Sequence, residues 1–143
     1  MTWDLLGFLV IGAVALVGAA ALASRPGFPF PKGLFVGAVA LRLVGSTARY
    51  EVLQRLYDGV GDASGYYASG WILAQQLWQG DFSILSTDYW LDGPRWWGTP
   101  AIRNLSGIVL SVIGPTMRGE FLIFGLLSFA GLVLMALAVV RLA

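Results

Sequence analysis

Between Tyr57 and Phe82 the chain reads YDGVGDASGYYASGWILAQQLWQGDF, which sets three aspartates (Asp58, Asp62, Asp81) among five tyrosines and tryptophans. The chemistry open to this stretch is proton transfer by a carboxylate. His and Cys are both absent, so an imidazole base, thiol chemistry, disulfides and the usual zinc ligand sets are excluded. An ordinary Asp has a pKa of about 3.9, so it is ionised at neutral pH and can take the proton of an attacking hydroxyl. Asp62 is placed for that role, immediately ahead of a helical pattern. It is equally placed to be the N-cap of a helix beginning at Ala63, without the Glu or Gln three positions on that would complete a capping box.

The neighbours also carry two readings each. Tyr66 and Tyr67 are suited to line a binding site by stacking and hydroxyl hydrogen bonds, or to anchor a helix at a membrane surface, the second fitting Tyr67 better. Asp81 is a second functional carboxylate or a solvated turn residue after Gly80. Arg95 and Arg103 have the guanidinium fork that matches phosphate oxygens; headgroup contact or pairing with Asp88 or Asp92 explains them as well. Arg42 lies inside an apolar run, where an arginine costs roughly 2.5–3.5 kcal/mol on insertion scales. It must face protein, water or a counter-charge. Arg49, seven residues on, shares its face, and with Glu51 and Arg55 forms a polar stripe leading toward Asp62. That stripe suits a path for a charged headgroup or a packing contact with other helices.

The elements that would hold these residues are membrane elements. Of 143 residues, 57% are hydrophobic and 12% charged, with a mean hydropathy of +0.75, far too apolar for a soluble domain of this length. The net charge is +1 and the cations are scattered, so nucleic acid is not an expected partner. Leu5–Ala23 is an uncharged run close to the roughly 20 residues that cross a hydrocarbon core. A signal peptide is the competing interpretation, but Asp4 stands where a basic n-region is expected. The loop Ser24–Gly33 carries Arg25, Lys32 and three prolines, which stops the helix and places the loop on the cytoplasmic side. A second span begins near Gly33, and Phe121–Val140 forms a third, followed by Arg141. Between Glu51 and Pro100 stand six acidic residues against two arginines, the balance of an external loop. Within it, Tyr67, Trp71, Ala74 and Trp78 recur on one helical face over Ala63–Gln79. A second short helix is expected over Leu105–Met117, capped by Asn104 and ended by Gly114-Pro115, with a turn at Asp92-Gly93-Pro94 in between. The expected fold is all-α: a polytopic membrane protein of one domain, with three spans and two interfacial juxtamembrane helices in the long external loop.

This order resembles the first module of the GT-C superfamily of membrane glycosyltransferases, which includes protein O-mannosyltransferases and the lipid A aminoarabinose transferase. In that family a helix leads outward to a catalytic Asp, followed by a juxtamembrane helix, an irregular loop, a second juxtamembrane helix and a returning span. Asp62 stands at the exit, Tyr66 follows at the fourth position, and Gly80-Asp81-Phe82 is similar to the family's Gly-Asp-aromatic ending. Gly98–Leu132 is similar to its second juxtamembrane helix, its turn at Gly114–Thr116 and the next span. The similarity covers about Gly33–Ala143, leaving residues 1–32 as an extra N-terminal helix and cytoplasmic loop. It implies inverting transfer of a sugar from a polyprenyl-phosphate donor to an acceptor hydroxyl. Asp62 would be the base, with Tyr66, Tyr67, Asp81, Arg95 and Arg103 contacting substrate. Ala63 stands where many members have a second acidic residue, so neither a metal nor another cofactor is expected. The partners implied are membrane lipid, the lipid-linked donor, and the remaining helices of a longer or split enzyme, since three spans alone cannot enclose donor and acceptor. The expected location is a bacterial or archaeal cell membrane, with the catalytic loop extracytoplasmic. From another class, a noncatalytic subunit that docks a partner through its aromatic loop fits the same residues. A transporter fragment, suggested by Arg42, lacks an inverted repeat or broken-helix pair.

Overall fold

The computed structural model describes residues 2–83 and 98–142. The Asp92-Gly93-Pro94 turn, Asp88 and Arg95 lie outside them. The described residues form five helices and no strand: α1 Thr2–Ala23, α2 Lys32–Leu56, α3 Asp62–Trp78, α4 Thr99–Ile113 and α5 Met117–Leu142.

Two of the helices are long and apolar enough to cross a membrane, over Trp3–Ala23 and Met117–Val139. Only 6% and 11% of their most apolar stretches are buried, the reverse of a soluble core helix. Leu9, Val14, Val17, Leu132, Leu134 and Met135 all point outward. α2 has the length, 25 residues or about 37 Å, but Arg42, Arg49, Glu51 and Arg55 interrupt its apolar face and leave it less apolar than those two.

α1, α2 and α5 pack on one another. Arg42 and Ser46 of α2 meet Gly125 in α5, and Phe35 at the other end of α2 meets Phe129 at 5.9 Å. Asp4 and Gly7 of α1 meet Thr116 at the head of α5. α1 and α5 therefore run in the same sense and α2 runs against both. Small residues let these backbones approach: a Cβ at Gly125 would overlap Ser46 Oγ, and one at Gly119 would lie 2.8 Å from Ile11 Cδ1. The end that carries Arg25, Lys32 and Arg141 is closed by a small core of Ala19, Phe35 and Val39 with Phe28 and Phe129. Asp4, Glu51, Asp58 and Asp62 gather at the opposite end.

At that acidic end α3 and α4 make the most extensive helix pair in the molecule. Gly70 sits against Ser106 and Gly107, and Trp78 Nε1 donates to Ser111 O at 2.9 Å. Low-numbered residues meet low-numbered ones, so the pair runs in one direction.

The helix ends correct two expectations. Asp62 is the first residue of α3 and not its cap: Gly61 holds the cap position and no side chain caps the helix. Asn104 is not a cap either. α4 begins at Thr99 with Pro100 in its first turn, where the ring's fixed φ suits a helix and the missing N–H has no partner to lose, so Asn104 falls inside the helix and is buried. The C-terminal stop stands where Gly114-Pro115 put it, with Gly114 at φ 79°. α5 starts four residues before the uncharged run because Thr116 caps it, Oγ1 accepting from Gly119 N at 2.9 Å. The same hydroxyl donates to Asp4 Oδ1 at 2.9 Å. Thr116→Val should remove both bonds and cost about 1–2 kcal/mol, the usual range for a lost cap, read as a lower thermal unfolding midpoint in detergent micelles.

Candidate functional site

α2 brings Arg42, Ser46 and Arg49 to one side of a cavity of about 260 Å³, and α3 brings Ala63 and Tyr66. α4 contributes Ile102 and Ser106, and α5 contributes Glu120, Phe121, Phe124, Gly125 and Ser128. The spacing explains the convergence. Positions 42, 46 and 49 of α2 recur every three to four residues, one face of a 3.6-residue helix, and the same period puts positions 63 and 66 together on the first turns of α3.

The electrostatics are mixed in sign. Arg42 is half-buried and its Nε donates to Gly125 O at 2.9 Å, which fixes the guanidinium where α2 and α5 cross. Its other donors make no hydrogen bond among the described residues. Arg49 is exposed at the mouth, and Glu120 is almost wholly buried in the wall. Two guanidiniums, several hydroxyls, a carboxylate and aromatic walls suit a ligand that is anionic at one end and rich in hydrogen-bonding groups elsewhere.

Asp62 is next in the chain to the cavity wall. It is exposed, makes no side-chain hydrogen bond or ion pair among the described residues, and directly precedes the lining residue Ala63. The chain reaches it through a sharp break after α2, with Asp58 at φ 49° and Gly59 at φ 73°, and Gly59 N bonded back to Leu53 O at 3.0 Å.

A second polar cluster lies beside the cavity. Asp4 Oδ1 accepts from Arg118 N at 3.1 Å and its Oδ2 pairs with Arg118 Nε at 3.4 Å. Arg118 Nη2 reaches Glu51 Oε1 at 3.2 Å, Glu51 Oε2 takes Arg55 Nε at 3.0 Å, and the Arg118 guanidinium lies 4.8 Å from the Tyr50 ring centroid. The cluster ties the heads of α1 and α5 to the C-terminal end of α2. Tyr67 borders it: burial first, then the negative charges of Asp4 and Glu120 and the neighbouring Tyr50, hold its phenol above the usual range, so it stays a neutral donor.

Of the site residues expected from sequence, the structure brings Tyr66 into the cavity and Asp62 to its edge. Tyr67 turns toward the Asp4 cluster. Asp81 lies at the far end of α3, a helix of 17 residues or about 25 Å. There its Oδ1 accepts from Ser83 N at 3.0 Å, and the hydrogen bonds of Ser83, side chain then backbone, hold the carboxyl below its usual value. Arg103 is half-buried on α4 and its Nε has no partner among the described residues. Arg95 lies outside them. Sequence reasoning missed Glu120, Ser46, Ser106 and the Asp4–Arg118 pair. The one available signal was Glu120 standing as an acidic residue directly against an uncharged run of twenty. Among the described residues no group of three acidic side chains is placed to hold a metal ion. Comparison with family models, with curated proteins and with solved structures finds no match for this chain.

Proposed function

We propose that the chain is the first module of an inverting membrane glycosyltransferase, moving a sugar from a polyprenyl-phosphate donor to an acceptor hydroxyl at the outer membrane face. The observation that carries this reading is an exposed Asp62, without a side-chain partner among the described residues, directly preceding the wall of a cavity that Arg42 and Arg49 also line. The leaving group of such a reaction is already a phosphate, so the enzyme needs a base for the acceptor proton, fixed positive charge for the departing phosphate, and a shared geometry for both. Asp62 supplies the first and the two arginines the second. Tyr66 borders the acceptor. The base attacks no atom itself: it takes the hydroxyl proton as the acceptor oxygen bonds to the anomeric carbon and the carbon–phosphate oxygen bond breaks.

In this reading α2 is the third span. Its direction, opposite to α1 and α5, is the one three successive crossings require, and Arg42 is tolerated because it is turned to α5 and the cavity instead of lipid. The clustering of Arg25, Lys32 and Arg141 at one end supports a cytoplasmic placement of that end through the positive-inside tendency.

The natural absence of Cys allows a direct test of placement. Single variants Gln79→Cys and Ser24→Cys in intact cells should react differently with a membrane-impermeant maleimide: Gln79→Cys labels at once, Ser24→Cys only after permeabilisation. Labelling in the opposite order puts Asp62 on the side away from the donor sugar and removes the reading.

A further inference from the structure

We propose that Glu120 recognises the sugar of the ligand in the α2–α5 cavity, accepting hydrogen bonds from its ring hydroxyls while Arg42 and Arg49 hold the phosphate. This rests on the glycosyl-phosphate reading of the cavity and adds the side chain that tells a sugar-bearing phosphate from a bare one.

Glu120 is 4% exposed and lines the cavity from the first turn of α5. It makes no ion pair among the described residues, where the pairs found join Asp4 and Glu51 to Arg55 and Arg118. Arg118, only two residues away, is held by those other carboxylates. Ser106 is 0% exposed, and its Oγ lies beside the Glu120 carboxyl and completes no other hydrogen bond. A buried carboxyl without a counter-charge is costly, and here it borders open volume with a single hydroxyl beside it.

Their donor and acceptor capacities define the missing complement. An ionised carboxylate only accepts and a guanidinium only donates. A bare phosphate satisfies the arginines and offers the Glu120 carboxyl no ring hydroxyl to bind. A phosphate carrying a hydroxylated ring satisfies both, its hydroxyls donating to Glu120 and exchanging hydrogen bonds with Ser106. Phe121 and Tyr66 add aromatic surface for the apolar face of the ring.

The test measures binding, not transfer. The full chain in detergent micelles is titrated with farnesyl phosphate and with farnesyl phosphoryl-β-D-glucose, -mannose and -galactose, by calorimetry. At least one sugar-bearing probe should bind about tenfold more tightly than farnesyl phosphate. Glu120→Gln, which leaves a neutral acceptor in place of a charged one, should erase about five- to tenfold of that preference, with farnesyl phosphate binding unchanged or tighter. Arg42→Gln should weaken all probes together. Should Glu120→Gln fail to fold, Ser106→Ala provides the second variant and should reduce the same preference. A sugar preference that survives both substitutions, or a Glu120→Gln loss shared equally by farnesyl phosphate, overturns the role of Glu120 and leaves the cavity reading intact. Failure of every probe to bind the unmodified chain overturns the cavity reading itself.

Discussion

Asp62→Asn is expected to lower sugar transfer by the assembled enzyme by about 10²- to 10⁴-fold, the range a positioned general base contributes, while the protein still folds and inserts. The two effects separate because of where Asp62 sits. Its side chain is exposed and makes no hydrogen bond or ion pair among the described residues, so the amide disturbs no packing and leaves no buried group unpaired. The one structural interaction at risk is between the carboxylate and the first turn of α3, worth about 0.3–1 kcal/mol at a surface position. In the proposed mechanism the guanidiniums in the adjoining cavity hold the phosphate end of the donor, leaving the anomeric carbon toward Asp62. Transfer of labelled sugar in membranes, compared with the unfolding midpoint of the purified variant, separates chemistry from stability. Near-normal transfer by Asp62→Asn removes the base from the mechanism, whatever the midpoint.

Asp62 was accessible to sequence reasoning and Glu120 was not, for a physical reason. Asp62 is set by local backbone chemistry: α2 ends at a Tyr-Asp-Gly break and the next helical pattern starts three residues later. Local chemistry also announced the stops at Gly80 and at Gly114-Pro115, where positive φ is required. The start of α4 was misplaced because Asn104 has the composition of a cap and the position of a core residue, and only its burial against the neighbouring helix decides between them. Glu120 and Asp4 acquire meaning from partners far away in the chain. Asp4 bonds to Thr116 and Arg118 across more than a hundred residues, a pairing no periodicity encodes. Arg42 and Arg49 fall between these cases. Their shared face was legible from a spacing of seven, but whether that face met lipid, a partner or a cavity depended on the crossing at Gly125. Asp81 shows the converse: family-like spacing grouped it with Asp62, and a helix of 17 residues holds the two apart.

The parallel packing of α3 on α4 gives the second large effect. Gly70→Val is expected to destabilise the protein by about 3 kcal/mol, the upper end of the usual cost of overpacking, and to abolish probe binding in the cavity. A Cβ at position 70 would lie 2.6 Å from Ser106 Cβ, 2.9 Å from the Ser106 carbonyl carbon and 3.0 Å from Gly107 N. Two of those atoms are backbone within a helix and cannot rotate away, so α3 and α4 must separate. Separation moves Tyr66 away from Ile102 and Ser106, which form facing parts of the cavity wall, and breaks the bond from Trp78 Nε1 to Ser111 O. Gly65, five residues earlier on an exposed position of the same helix, has no atom within 4 Å of its would-be Cβ. Gly65→Ala should therefore stabilise α3 by about 0.5–1 kcal/mol through backbone entropy. Opposite shifts of the unfolding midpoint for the two glycines, followed by tryptophan fluorescence in one micelle, are the expected result. A Gly70→Val protein as stable as the parent would mean that α3 and α4 do not approach at Gly70, and the cavity built between them would lose its wall.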